Sequence, residues 1–81
     1  MEKSINEVVE IGGKFYWCDF CHIPSVVWPN EFEFMAFRCN RKGEVTDWSG
    51  LYTIQSNTFS ESEFRGYVND FKAYMSNYQN H

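Results

Sequence analysis

Apolar residues recur at helical spacing over the last quarter of the chain. Phe64, Tyr67, Val68, Phe71, Tyr74, Met75 and Tyr78 fall, at 100° per residue, within an arc about 120° wide, the stripe of an amphipathic helix. The spacing predicts a helix over Ser60 to Tyr78. Its start is marked by an S-x-x-E capping box, Ser60 and Glu63, and by Phe59 and Phe64 at the positions of a hydrophobic staple. Glu61 and Arg65 are spaced as an acid-first pair one turn apart. Gly66 lies on the far side of the wheel, where glycine costs about 1 kcal/mol relative to alanine; nothing in the sequence explains it.

Upstream the period shortens to two. Ile5 to Ile11 reads as a strand centred on Val8 and Val9. Gly12-Gly13 then permits positive φ at both turn positions of a tight hairpin. Lys14 to Cys21 is the returning strand, with Tyr16, Cys18 and Phe20 on one face and Phe15, Trp17, Asp19 and Cys21 on the other. Pro24 and Pro29 make His22 to Asn30 a loop, and Val26, Val27 and Trp28 between them suggest that it packs down onto the domain. Glu31 to Asn40 is a third strand. One of its faces carries Glu33, Met35, Phe37 and Cys39, and the other Phe32, Phe34, Ala36 and Arg38. Asn40-Arg41-Lys42-Gly43 is a turn with glycine available for the left-handed position. Glu44 to Ser49 is a fourth strand. Gly50 marks a bulge or bend, and Leu51 to Gln55 is a fifth short strand or an extension of the fourth.

Strands first and helix last define an α+β domain, an antiparallel sheet of four to five strands with one C-terminal amphipathic helix packed on one face. The 81 residues suffice for a single domain spanning 1–81. A chain this short buries only about 60% of the surface its unfolded form exposes. It compensates with aromatics: eight Phe, five Tyr and three Trp. That is more aromatic surface than one helix and one small sheet hide, so part of it is expected to meet a partner.

The run Glu33-Phe34-Met35-Ala36-Phe37, then Arg41 to Trp48, then Leu51-Tyr52 and the Thr/Ser-Glu-x-Glu helix start, here Ser60-Glu61-Ser62-Glu63, resembles a group of small uncharacterised phage and prophage proteins. Those share an E-x-M-x-F strand, a Gly-Glu-Val turn, a D-W/Y step and a closing helix. The likeness covers Glu33 to Tyr67, about half the chain. Members often carry Ala then His in the helix, where this chain reads Phe64-Arg65-Gly66-Tyr67. The resemblance implies an accessory protein made during infection, acting in the host cytoplasm, and brings no activity or site with it.

The net charge of −4, from 11 acidic and 7 basic residues without runs, lacks the basic stripe that nucleic-acid binding needs, and its acid is too sparse to mimic nucleic acid. No apolar run approaches the roughly 18 residues of a membrane span. The first residues lack the apolar region of a signal peptide, so a cytoplasmic protein with reduced cysteines is expected.

Cys18-Asp19-Phe20-Cys21-His22 is the one string with a recognisable spacing. As a zinc half-site it would need Cys39 and His22 or His81 to complete four ligands. Residues three apart on a strand point to opposite faces, however, so Cys18 and Cys21 are not expected to grip one ion. Haem attachment would need export, and a thioredoxin-like pair would need a helix after the first cysteine. Cysteines acting as small hydrophobes are the favoured reading, with no metal and no cofactor. Catalytic parts are few: His81 is terminal, Cys21 and His22 are adjacent and diverge on a strand, and Glu31 and Glu33 read as a solvated edge.

The remaining signal is the second aromatic face. Tyr16, Cys18, Phe20, Met35 and Phe37 are assigned to the helix side, because those runs are free of charge. Phe15, Trp17, Phe32, Phe34 and Trp48 are left on the other side. Either the Val26–Trp28 loop and the N-terminal strand cover them, or they form an exposed patch rimmed by Asp19, Glu33 and Arg38. Soluble monomers seldom leave such a patch open unless it binds something, and aromatics and Arg dominate binding hot spots. The sequence therefore reads as a non-enzymatic interaction protein. It would bind a partner protein, whether a host or defence factor or a second copy as a homodimer, and would act by steric occlusion. A zinc-stabilised mini-domain is the alternative. A small-ligand binder is a third, without a Gly-rich phosphate loop to support it.

Overall fold

A computed structural model describes residues 3–23 and 31–79, with the last two as backbone alone. Four strands, β1 (Ser4–Ile11), β2 (Lys14–His22), β3 (Phe32–Cys39) and β4 (Val45–Ser56), are followed by one helix, α1 (Glu61–Gln79). Each strand pairs antiparallel with the next, so the sheet is a meander in the order β1-β2-β3-β4. This is the α+β arrangement expected from the sequence, with Leu51 to Gln55 continuing β4 and no fifth strand among the described residues. No described helix is long and apolar enough to cross a membrane. The Pro24–Pro29 loop, with Val26 to Trp28, lies outside the described residues.

Local chemistry sets each junction. Gly12 and Gly13 both take positive φ, 59° and 80°, which a two-residue hairpin turn between Ile11 and Lys14 demands. The β3–β4 turn is organised by Asn40, whose Oδ1 accepts from the backbone N–H groups of Lys42 (2.9 Å) and Glu44 (3.0 Å). Gly43 completes it at φ 88°.

The helix start realises half of the expected capping box. Ser60 Oγ accepts from the Glu63 N–H at 3.1 Å. The Glu63 carboxylate turns instead to a cluster of hydroxyls, accepting from Ser56, from Thr58 (2.6 Å) and from Tyr67 (2.8 Å). It thereby ties the end of β4 to the first turns of α1. Arg65 also departs from expectation: it reaches Glu7 on β1 at 2.7 Å, rather than Glu61 one turn back.

Partial burial acts to raise the Glu63 carboxyl, but the hydroxyl donors outweigh it and hold it below its ordinary 4.5. A carboxyl lowered in the folded state adds stability that is present above that ordinary value and lost as pH falls through the folded one. Glu63→Gln is therefore expected to lower the urea midpoint at neutral pH, and the gap to wild type should narrow as pH falls below that ordinary value. A gap independent of pH would contradict this assignment.

The core lies between α1 and one sheet face. Phe64, Val68, Phe71 and Met75 from the helix meet Val9, Ile11, Tyr16, Cys18, Phe20, Phe32, Phe34 and Ala36 from the sheet. Tyr16 stands edge-on to Phe71, with ring centroids 5.3 Å apart. Phe59 stacks on Phe20 at 4.8 Å. Cys18 and Ala36, small and fully buried, are direct cross-strand partners. Gly66 faces open space.

This core corrects the face assignment of β3. Phe32 (7% exposed) and Phe34 (0%) lie beneath the helix, while Met35 and Phe37 point the other way. The cause is register. Phe20 pairs with Phe34 and Trp17 with Phe37, and directly opposed residues share a face. The whole set of β3 side chains is thus inverted relative to the expectation, as a one-residue slip inverts a strand.

Candidate partner-binding face

The sheet face opposite α1 is built by residues of alternate parity. Val8 from β1, Phe15, Trp17, Asp19 and Cys21 from β2, and Glu33, Met35, Phe37 and Cys39 from β3 share it through the cross-strand register. β4 contributes Trp48 through a large irregularity. Ala36 pairs with Tyr52 but Arg38 with Asp47, so residues 48–51 loop out opposite Phe37. The Asp47 carboxylate accepts from the Ser49 N–H at 2.9 Å, a turn that starts this bulge and, with the Ser49 side chain, lowers the Asp47 pKa. Gly50 lies close over Met35: a Cβ there would come within 3.1 Å of the Met35 methyl, which would have to shift by a few tenths of an ångström. The bulge swings Trp48 over the sheet, edge-on to Phe37 with centroids 5.2 Å apart. Phe37 is covered, whereas Trp48 stays 72% exposed.

The β3–β4 turn folds over the other end of the face. A Cβ on Gly43 would meet Val8 Cγ2 at 3.0 Å and the Trp17 ring at 3.8 Å. The Arg41 guanidinium sits 5.5 Å from the centre of the Phe15 ring, within cation–π range. Among the described residues this turn lies over Phe15 and Trp17, with Val8 of β1 beside Trp17. The N-terminal strand pairs at the sheet edge as β1.

Of the six residues expected to bind a partner, Phe15, Trp17 and Trp48 are gathered here. Phe32 and Phe34 are core. Arg38 is exposed, but it pairs with Tyr16 and so belongs to the helix-bearing side; Arg41 is the cation that borders the aromatic face. Met35 and Phe37 are the face residues the sequence reading missed. The available signal was Ala36, the smallest residue of β3, since a helix approaches a sheet most closely over small side chains.

Acidic groups rim the face. Burial pushes the Asp19 carboxyl above its ordinary 3.8, opposed by hydrogen bonds from Cys21 and Asn6. Glu33 accepts from Gln55 Nε2 at 3.5 Å. Two clefts lie elsewhere: one of about 410 Å³ lined by Ile23, Glu31, Phe32, Gln55, Ser56 and Asn57, and one of about 210 Å³ between Gly50, Leu51, Tyr74 and Met75.

The thiols are divided between the two faces. Cys18 is fully buried under the helix, and burial, followed by the Glu7 charge, raises its pKa to about 12. Cys39 is buried at the other face and is likewise raised by burial. Cys21 is half-buried, its thiol 3.7 Å from Asp19 Oδ2. Among the described residues no three His, Cys, Asp or Glu side chains converge as metal ligands; His81 lies outside them. Thiolate is the reactive form, so iodoacetamide at about pH 8 is expected to label Cys21 in the folded protein and to reach Cys18 only after denaturation. Peptide mass mapping reads this directly, and early labelling of Cys18 would contradict its burial.

Comparison with protein-family models, with curated proteins and with solved structures found no match to this chain.

Proposed function

We propose that this chain is a small non-enzymatic interaction protein that docks the aromatic face opposite α1 onto a partner protein and acts by steric occlusion. The observation that carries the reading is Trp48, 72% exposed and held over Phe37 by a built bulge. A large indole displayed from a fixed backbone is the usual anchor of a protein interface, because it offers much area with little conformational freedom to lose. Phe15, Trp17 and Met35 extend the apolar surface beside it, and Asp19, Glu33 and Arg41 supply a polar rim.

A phage accessory role in the host cytoplasm is part of the proposal. Some of the residues that carry the likeness to small phage and prophage proteins lie at this face, while Phe34, Ala36, Tyr52 and the helix start lie on the side of α1. Met35 and Phe37 come from the E-x-M-x-F strand, Gly43 from the Gly-Glu-Val turn above Trp17, and Trp48 from the D-W step. The partner is a host or defence protein or another copy of the chain. The test is retention of the partner by the wild-type chain and its loss from a Trp17→Ser/Trp48→Ser chain that keeps its fold.

A further inference from the structure

The two edges of the sheet differ in chemistry. The described residues place no strand beyond β1 or beyond β4, so each edge presents backbone N–H and C=O groups to a potential partner. Exposed edges are ordinarily blunted by charge, proline or a bulge. β1 carries Glu7 and Glu10 within eight residues. β4 carries one charge, Asp47, within twelve, and from Trp48 to Ser56 it has neither a charged residue nor a proline. Its bulge blunts only the half from Trp48 to Leu51; Tyr52 to Ser56 keeps regular pairing with β3.

That regular half is self-complementary. Tyr52, Ile54 and Ser56 face the helix side, opposite Ala36, Phe34 and Phe32, while Thr53 and Gln55 face the other side, opposite Met35 and Glu33. Turned about a two-fold axis at Ile54, the segment sets Ile54 against Ile54, Tyr52 against Ser56 and Thr53 against Gln55. Each pair shares a face: an aliphatic pair, an aromatic beside a small residue, and two hydrogen-bonding side chains. Ile54 and Tyr52 are half-buried in the single chain and would be covered further. The segment itself adds no charge to the contact between copies of net charge −4, and the carboxylates nearest it, Glu33 and Glu63, are engaged by Gln55 and Ser56.

We propose that this chain forms a two-fold dimer in which the Tyr52–Ser56 edges of two copies pair antiparallel about Ile54, joining two four-stranded sheets into one continuous sheet. The pairing does not depend on what the aromatic face binds.

Sedimentation equilibrium at about 5 to 500 µM, a range that brackets micromolar dissociation constants, tests it. The wild-type mass should rise from that of one 9.7 kDa chain toward twice that value. Thr53→Lys/Gln55→Lys sets like charges across the axis on exposed positions and should stay monomeric throughout, with an unchanged circular dichroism spectrum. Thr53→Glu/Gln55→Glu should do the same alone, and an equimolar mixture of the two variants should regain the dimer. A wild-type chain that stays monomeric overturns the proposal, as does a lysine variant that still dimerises or a mixture that fails to associate. A dimer lost with Trp17→Ser/Trp48→Ser but insensitive to the lysine pair belongs to the aromatic face and also overturns edge pairing. Monomeric wild type would leave the aromatic-face reading to its own partner-retention test.

Discussion

Phe34→Ala is expected to destabilise the chain by about 3–5 kcal/mol, among the largest single-residue effects in a core of fully buried aromatics. Phe34 has no exposure, and its ring lies 5.7 Å from Tyr67, 6.0 Å from Phe64 and 6.4 Å from Tyr52. Removing a buried Phe costs about 3–5 kcal/mol, from lost transfer and the cavity left behind. At about 0.05–0.15 kcal/mol per residue, a domain of 81 residues has a total stability of roughly 4–12 kcal/mol. One substitution therefore removes much or all of it. Urea denaturation followed by far-ultraviolet circular dichroism measures the effect. A loss below about 1 kcal/mol, the range of ordinary surface changes, would mean that Phe34 lies outside the core and that β3 presents its other face to the helix.

Trp17→Ser/Trp48→Ser is expected to do the reverse, keeping the fold and abolishing partner binding. Trp48 is mostly solvent-exposed, so its loss leaves little cavity, and Trp17 is half-covered by a turn rather than packed under the helix. Interface hot-spot residues cost about 2–4 kcal/mol on truncation, so the pair should weaken binding by at least about a hundredfold. Titration of the purified partner by calorimetry, with melting temperature as the control for folding, reads both parts. Unchanged affinity would remove the aromatic face from the interface.

Much of the fold was legible because its local signals were strong. The stripe from Phe64 to Met75, the Ser60 cap, the Gly12-Gly13 hairpin and the Asn40–Gly43 turn each rest on chemistry within a few residues. The face of β3 was not legible, because the strand is apolar on both sides. Phe32, Phe34 and Ala36 compete with Met35, Phe37 and Cys39, and only the pairing with β2 decides between them. That pairing is set across the segment from Ile23 to Glu31, where no local rule fixes register. Arg65 illustrates the same limit. A pair with Glu61 is worth only a few tenths of a kcal/mol, and the competing Glu7 is 58 residues away in sequence. Half of the expected binding residues were therefore assigned to the wrong face for one reason, while the bulge that Gly50 marks in the sequence is where Trp48 is turned onto Phe37. The separation of Cys18 from Cys21 followed from strand alternation alone.

Site-specific photo-cross-linking tests the aromatic face most directly. Benzoylphenylalanine at position 48 lies on the proposed interface, and at position 69 it lies on the exposed outer surface of α1. In cells that contain the native partner, position 48 is expected to give one dominant adduct, lost when Trp17→Ser is added, and position 69 none. An equal or stronger adduct from position 69, or none from position 48, would contradict the assignment of the aromatic face as the binding surface.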